Sequence, residues 1–179
     1  MISFMKDKLS RFRKAQDGSA MTIEFVILLP LLFYFFIFGV ELSVYSIRQM
    51  KLDRGLEVST REIRLNTGVT FTHDDIKTMV CANSGGITDC EDNLVLEMEP
   101  VDMREFRGLT TTSTCVDQAA DVNPERGWSV GQQHEVMILR ACYTFFPGFS
   151  GVGLGLELAK NSEGKAMMAS ISTFVQEPQ

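Results

Sequence analysis

FVILLPLLFYFFIFGV, residues 25–40, carries no charged side chain. Widened to residues 20–47, the run is interrupted only by Glu24 and Glu41. A membrane-spanning helix needs about 20 apolar residues, and residues 25–45 supply them, with Glu41 near one interface. A core helix of a soluble protein keeps a polar stripe, whereas this stretch is apolar on every face. Pro30 removes one helical hydrogen bond and favours a kink, which a membrane helix tolerates when its neighbours repair the loss. Tyr34 and Tyr45 add amphipathic rings to the run.

The flanks differ in character. Residues 1–18 hold Lys6, Lys8, Arg11, Arg13 and Lys14 against only Asp7 and Asp17. The chain of 179 residues nevertheless has a net charge of −6, so everything downstream is acidic. The mean hydropathy of +0.04 conceals this division into basic head, apolar run and polar body. An acidic pI near 5.0 argues against a nucleic-acid binder, whose footprint is basic. A multi-span transporter, a coiled-coil rod and a multidomain enzyme are excluded by length and by the single apolar run. That run exceeds the apolar core of a secretory signal and is followed by no A-x-A site, so it reads as a retained anchor.

Lys/Arg counts on the two sides of the run are tied, because Arg48, Lys51, Arg54, Arg61 and Arg64 balance the head. The cysteines orient the chain instead. Cys81, Cys90, Cys115 and Cys142 all lie in the body, and an even number there indicates disulfides in an oxidising compartment. Of the three possible connectivities, Cys81–Cys90 with Cys115–Cys142 is favoured. The first closes a short loop containing Asn83, Gly85 and Gly86, which turn easily; the second would pin residues 102–134 onto a strand.

Past the apolar run, Tyr45, Leu52, Leu56, Ser59 and Ile63 form one stripe at helical spacing. The helix therefore continues to about Leu65, roughly 69 Å from Ala20 at about 1.5 Å per residue. Thr72 or Asp74 can cap a short helix through Met79–Val80. Three alternating segments follow, at residues 93–101, 135–146 and 166–175. The expected inward faces are Leu94, Leu96 and Met98; Met137, Leu139, Ala141, Tyr143 and Phe145; and Met167, Ala169, Ile171 and Val175. The fold class is α+β, a long N-terminal transmembrane helix followed by a small antiparallel three-stranded sheet domain with one face against the helix. Residues 102–134 read as a long irregular insertion.

No catalytic constellation emerges. His73 and His134 stand far apart, and no nucleophile–base–acid set can be drawn. Gly148, Gly151, Gly153 and Gly155 lack the Gly-Lys-Ser/Thr of a phosphate loop and read as a flexible hairpin connection. His73–Asp74–Asp75 reads as a solvated helix start rather than a cation site. No enzyme activity, cofactor, metal, nucleic acid or small-molecule substrate is expected.

The segment RFRKAQDGSAMTIEFVILLPLLFYFF, residues 11–36, holds the most specific signal. A basic stretch leads to Gly18, small residues, Glu24–Phe25 and hydrophobics with Leu29–Pro30. It resembles the class III signal of type IV pilin-like proteins, and more closely the TadE/TadF minor pseudopilins of the tight-adherence (Tad) pilus system. STREIRLNTG, residues 59–68, is also similar to that family, and the specific resemblance covers residues 10–68. It implies a basic cytoplasmic leader (1–18), a transmembrane and stem helix (19–68) and an exported disulfide-bonded α+β domain (69–179). It further implies a bacterial inner-membrane protein, cytoplasmic at its N-terminus and periplasmic at its C-terminus, that can enter the pilus. Its partners would be other pilin-like stems, the assembly platform and a prepilin peptidase, and its role assembly, priming or capping. Glu24, Phe25 and Pro30 would be the assembly residues, Glu24 pairing with the free amine of a neighbouring subunit. In the family pattern cleavage follows glycine and the glutamate is fifth in the mature chain. Cleavage after Gly18 makes Glu24 sixth here, cleavage after Ser19 restores the fifth position, and an uncut chain is the third course. The other function considered is an unprocessed single-pass periplasmic scaffold or binding module.

Overall fold

The computed structural model describes residues 19–66, 68–102, 104, 128–129, 131–151 and 153–177. The chain divides into two compact units, Met1–Val40 and Glu41–Gln179. Helix α1 (Ser19–Leu65) is unbroken through Pro30 and contributes to both. The first unit, where described, is the part of α1 up to Val40.

In the second unit α1 is followed by α2 (His73–Asn83), α3 (Cys90–Asn93), β1 (Leu94–Pro100), β2 (Val136–Phe145), α4 (Leu154–Glu157) and β3 (Ala166–Val175). The sheet order is β1-β2-β3, both pairs antiparallel. The fold is thus α+β, a long apolar helix with a three-stranded antiparallel sheet, as the periodicities indicate. The expected stripe on α1 is the buried one: Leu52, Leu56, Ser59 and Ile63 all lie in the interior. The hydroxyl groups of Ser59 and the neighbouring Thr60 donate to the carbonyls of Gly55 and Leu56, each at 2.8 Å, so these buried polar groups are satisfied within the helix.

Gly55 allows α1 and α2 to touch. A β-carbon at this position would lie 2.7 Å from the Val80 carbonyl oxygen and 2.9 Å from Ser84 Cβ. Ile76 and Val80 of α2 are fully buried in the same cluster as Leu52 and Leu56. Helix α2 starts at a capping box. Asp75 N–H donates to Thr72 Oγ1 (3.2 Å), while Thr72 N–H and Oγ1–H donate to Asp75 Oδ2 (3.0 and 2.6 Å). The Thr72 hydroxyl first, and its backbone N–H second, hold the Asp75 carboxyl below its ordinary 3.8. A depressed carboxylate contributes stability above its unfolded pKa and loses it as pH falls through the folded value. Thr72→Ala is therefore expected to cost about 1 kcal/mol at neutral pH. In urea titrations the gap between variant and wild type should narrow as pH drops below 3.8.

The core face of the sheet comprises Leu94, Leu96 and Met98 of β1 with Met137, Leu139, Ala141, Tyr143 and Phe145 of β2, as expected. Tyr143 Oη donates to the Thr88 carbonyl at 2.7 Å and ties β2 to the loop before α3. Burial pushes this phenol above its usual value, with Arg48 opposing and Asp89 adding to the rise.

β3 corrects the reading of the sequence. Its limits are those expected, but its buried residues are Ala166, Met168, Ser170 and Phe174, whereas Ile171 and Val175 are exposed. Register explains the inversion, because Met168 lies opposite Tyr143 and Phe174 opposite Met137, while Ile171 lies opposite Arg140. Side chains paired across antiparallel strands share a face, so Met167, Ala169, Ile171 and Val175 belong to the outer one. On that face β2 is also buried, at Ile138, Arg140, Cys142 and Thr144. Arg140 pairs there with Glu97 at 3.2 Å.

Cys81 and Cys90 form a disulfide. Cys142 is disulfide-bonded as well; Cys115, its expected partner, lies outside the described residues, as does most of the 102–134 insertion. Trp128 makes an isolated parallel bridge to Met98 and an edge-on ring contact with His73.

Candidate anchor and assembly segment

The residues singled out for anchoring and assembly fall in the first unit. Gly18 lies outside the described residues, and Ser19 is the first residue of α1 as described. Glu24, Phe25 and Pro30 follow along the same helix, and all three are exposed. The helix is long and apolar enough to cross a membrane, and none of its most apolar stretch is buried. The exposed side chains include Ile23, Phe25, Ile27, Leu28, Leu32 and Phe36. An apolar surface of this extent around a whole helix is not stable against water and marks contact with lipid or with other helices. Glu24, between the exposed Ile23 and Phe25, is the only charged residue of the described part of this unit. Its carboxylate is costly in hydrocarbon, about 2.5–3.5 kcal/mol at mid-bilayer for an acidic residue and less near an interface.

Ser19, Glu24, Phe25 and Pro30 are positions along one helix rather than a cluster. Among the described residues, no group of three or more His, Cys, Asp or Glu is placed to hold a metal ion.

One residue beyond the anchor segment stands out in the second unit. Glu41, placed near an interface by the reading of the apolar run, is only 7% exposed. The Phe149 N–H donates to its Oε1 at 3.3 Å. Its Oε2 is buried and has no hydrogen-bond partner among the described residues. Gly155 makes the approach possible, since a β-carbon there would lie 2.2 Å from the Phe149 carbonyl oxygen and 2.8 Å from Glu41 Oε1. The glycine-rich connection between β2 and β3 is thus folded against α1, with the short helix α4 inside it, and not a free hairpin. The available signal was an acid directly after an uncharged run, combined with glycines too closely spaced for a simple turn.

No protein-family model, no curated protein and no solved structure matches the chain.

Proposed function

We propose that the chain is a minor pseudopilin of a Tad-type pilus, anchored in the bacterial inner membrane with its N-terminus in the cytoplasm and its sheet unit in the periplasm. Its role is assembly, priming or capping of the filament through lateral packing of α1 against other pilin-like stems. What supports the reading is the division of labour along one helix. Residues 25–40 carry no charge and none of them is buried, and from Leu52 onward the same helix supplies the core of a sheet unit. A helix of this kind needs a lipid or helical environment for its first half and brings its own folded cargo with its second. The Gly18-to-Glu24 segment adds a processing signal and a charge that a neighbour's new amine would neutralise.

Mass spectrometry of the mature N-terminus tests the reading, a start at Ser19 or Ala20 being the expected result. The spacing of Gly18 from Glu24, one residue longer than the family pattern, favours one second reading: an uncut, single-pass periplasmic scaffold or binding module. An intact Met1 would select it. Glu24→Ala is expected to leave membrane insertion unchanged and to reduce piliation about tenfold or more. Even about 1.4 kcal/mol lost at each subunit contact lowers association tenfold. Piliation at the wild-type level in a deletion strain carrying this variant would remove Glu24 from assembly.

A further inference from the structure

We propose that the connection between β2 and β3 is a second lipid contact, seating the sheet unit on the membrane surface through Phe146, Phe149 and Leu156. The inference rests on α1 being a membrane anchor. These three side chains are 63%, 47% and 61% exposed. Scattered exposed hydrophobics are ordinary, but these share one connection whose position on α1 is fixed. Glu41 accepts the Phe149 N–H and sits against Gly155, and Glu41 is the residue that follows the uncharged stretch 25–40. Arg48 Nη1, two turns further along α1, donates to the Phe146 carbonyl at 3.4 Å. The connection is thereby held beside the first turns of α1 beyond the apolar run. Those turns themselves expose Leu42, Val44 and Ile47.

The charges around it suit a phosphate-bearing surface. Arg48 lies over the Phe145 ring at 4.8 Å from its centroid, and the Lys165 ammonium lies 5.6 Å from that of Phe146. Lys160 Nζ donates to the Ser150 carbonyl at 2.7 Å. Three cations thus border the apolar side chains in a chain that is acidic overall. Three acids are near: Glu41 is buried under the connection with its Oε1 on the Phe149 N–H, Glu163 pairs with Lys165 at 3.0 Å, and Glu157 ends α4. Aromatic and leucine side chains ringed by Lys and Arg are the composition of an interfacial membrane contact: the apolar groups enter the acyl boundary and the cations meet lipid phosphates.

Tryptophan placement in the full chain, reconstituted into phosphatidylethanolamine–phosphatidylglycerol vesicles, tests this. Wild type, with Trp128 alone, gives the baseline. Phe149→Trp and, independently, Leu156→Trp are expected to add emission that is blue-shifted and strongly lost when the lipids are brominated high in the acyl chain. Ile171→Trp, at a site of similar exposure on the outer sheet face, should add emission that the brominated lipids leave intact. Quenching at 149 and 156 no greater than at 171, in protein that floats with the vesicles, overturns the lipid contact and leaves the anchor standing. A blue shift that follows protein concentration in detergent and is not quenched by brominated lipid overturns it in favour of a second copy of the chain. Wild-type protein that fails to float with vesicles overturns both the contact and the anchor on which it rests.

Discussion

Leu56→Ala is expected to destabilise the sheet unit by about 2–5 kcal/mol. Leu56 is 1% exposed and lies within the cluster that joins α1, α2 and the core face of the sheet. Alanine has the better helix propensity, so the loss reflects a cavity and forfeited contacts, not a weaker helix. The site can relax little, because Gly55 next to it holds α2 at backbone contact distance and Ser59, one turn on, is fully buried. Calorimetry in detergent should show the unfolding midpoint lowered by on the order of 10 °C. Val58, on the exposed side of the same helix, supplies the control: Val58→Ala should change stability by no more than about 0.5 kcal/mol. Equal effects at 56 and 58 would mean that α1 does not form the core.

Loss of the Cys81–Cys90 disulfide should be nearly as costly. The bond spans nine positions, and loop-closure entropy assigns a cross-link of this size about 3 kcal/mol. It joins the last turn of α2 to the first residue of α3, so its loss frees the connection that carries Thr88, whose carbonyl accepts the Tyr143 hydroxyl. A Cys81→Ser, Cys90→Ser double variant avoids leaving a lone thiol. It should unfold at correspondingly lower denaturant, with hydrogen exchange accelerated first in residues 82–92. Unchanged exchange there would show that the helices alone fix the connection.

Where one face of an element was apolar and the other polar, the sequence was decisive. Leu94, Leu96 and Met98 alternate with Glu97 and Glu99, and the structure buries the former. The α1 stripe was equally plain, because Arg and Glu fill the gaps between Leu52, Leu56 and Ile63. β3 had no such contrast. Ala166, Met168 and Phe174 form one apolar set, and Met167, Ala169, Ile171 and Val175 form another. A period of two cannot choose between two apolar sets, and only pairing with β2 does so. β2 itself is buried on both faces, which alternation alone does not announce. The anchor segment was legible because an uncharged run is a property of neighbours in sequence. The burial of Glu41 was not, because it depends on Phe149 and Gly155, more than a hundred positions away.

That distance gives the contact an order in time. Glu41 precedes Phe149 by 108 residues, so during synthesis its side chain is made long before the connection that covers it exists. It stays hydrated while α2 and β1 form. Only when β2 is complete can the chain fold back and replace water with the Phe149 N–H. Closure of this corner is then among the last events in the maturation of the sheet unit. A nascent chain arrested before residue 149 exposes a polar side chain beside the apolar run that the finished protein conceals, a state that a quality-control protease or chaperone could tell from the completed one.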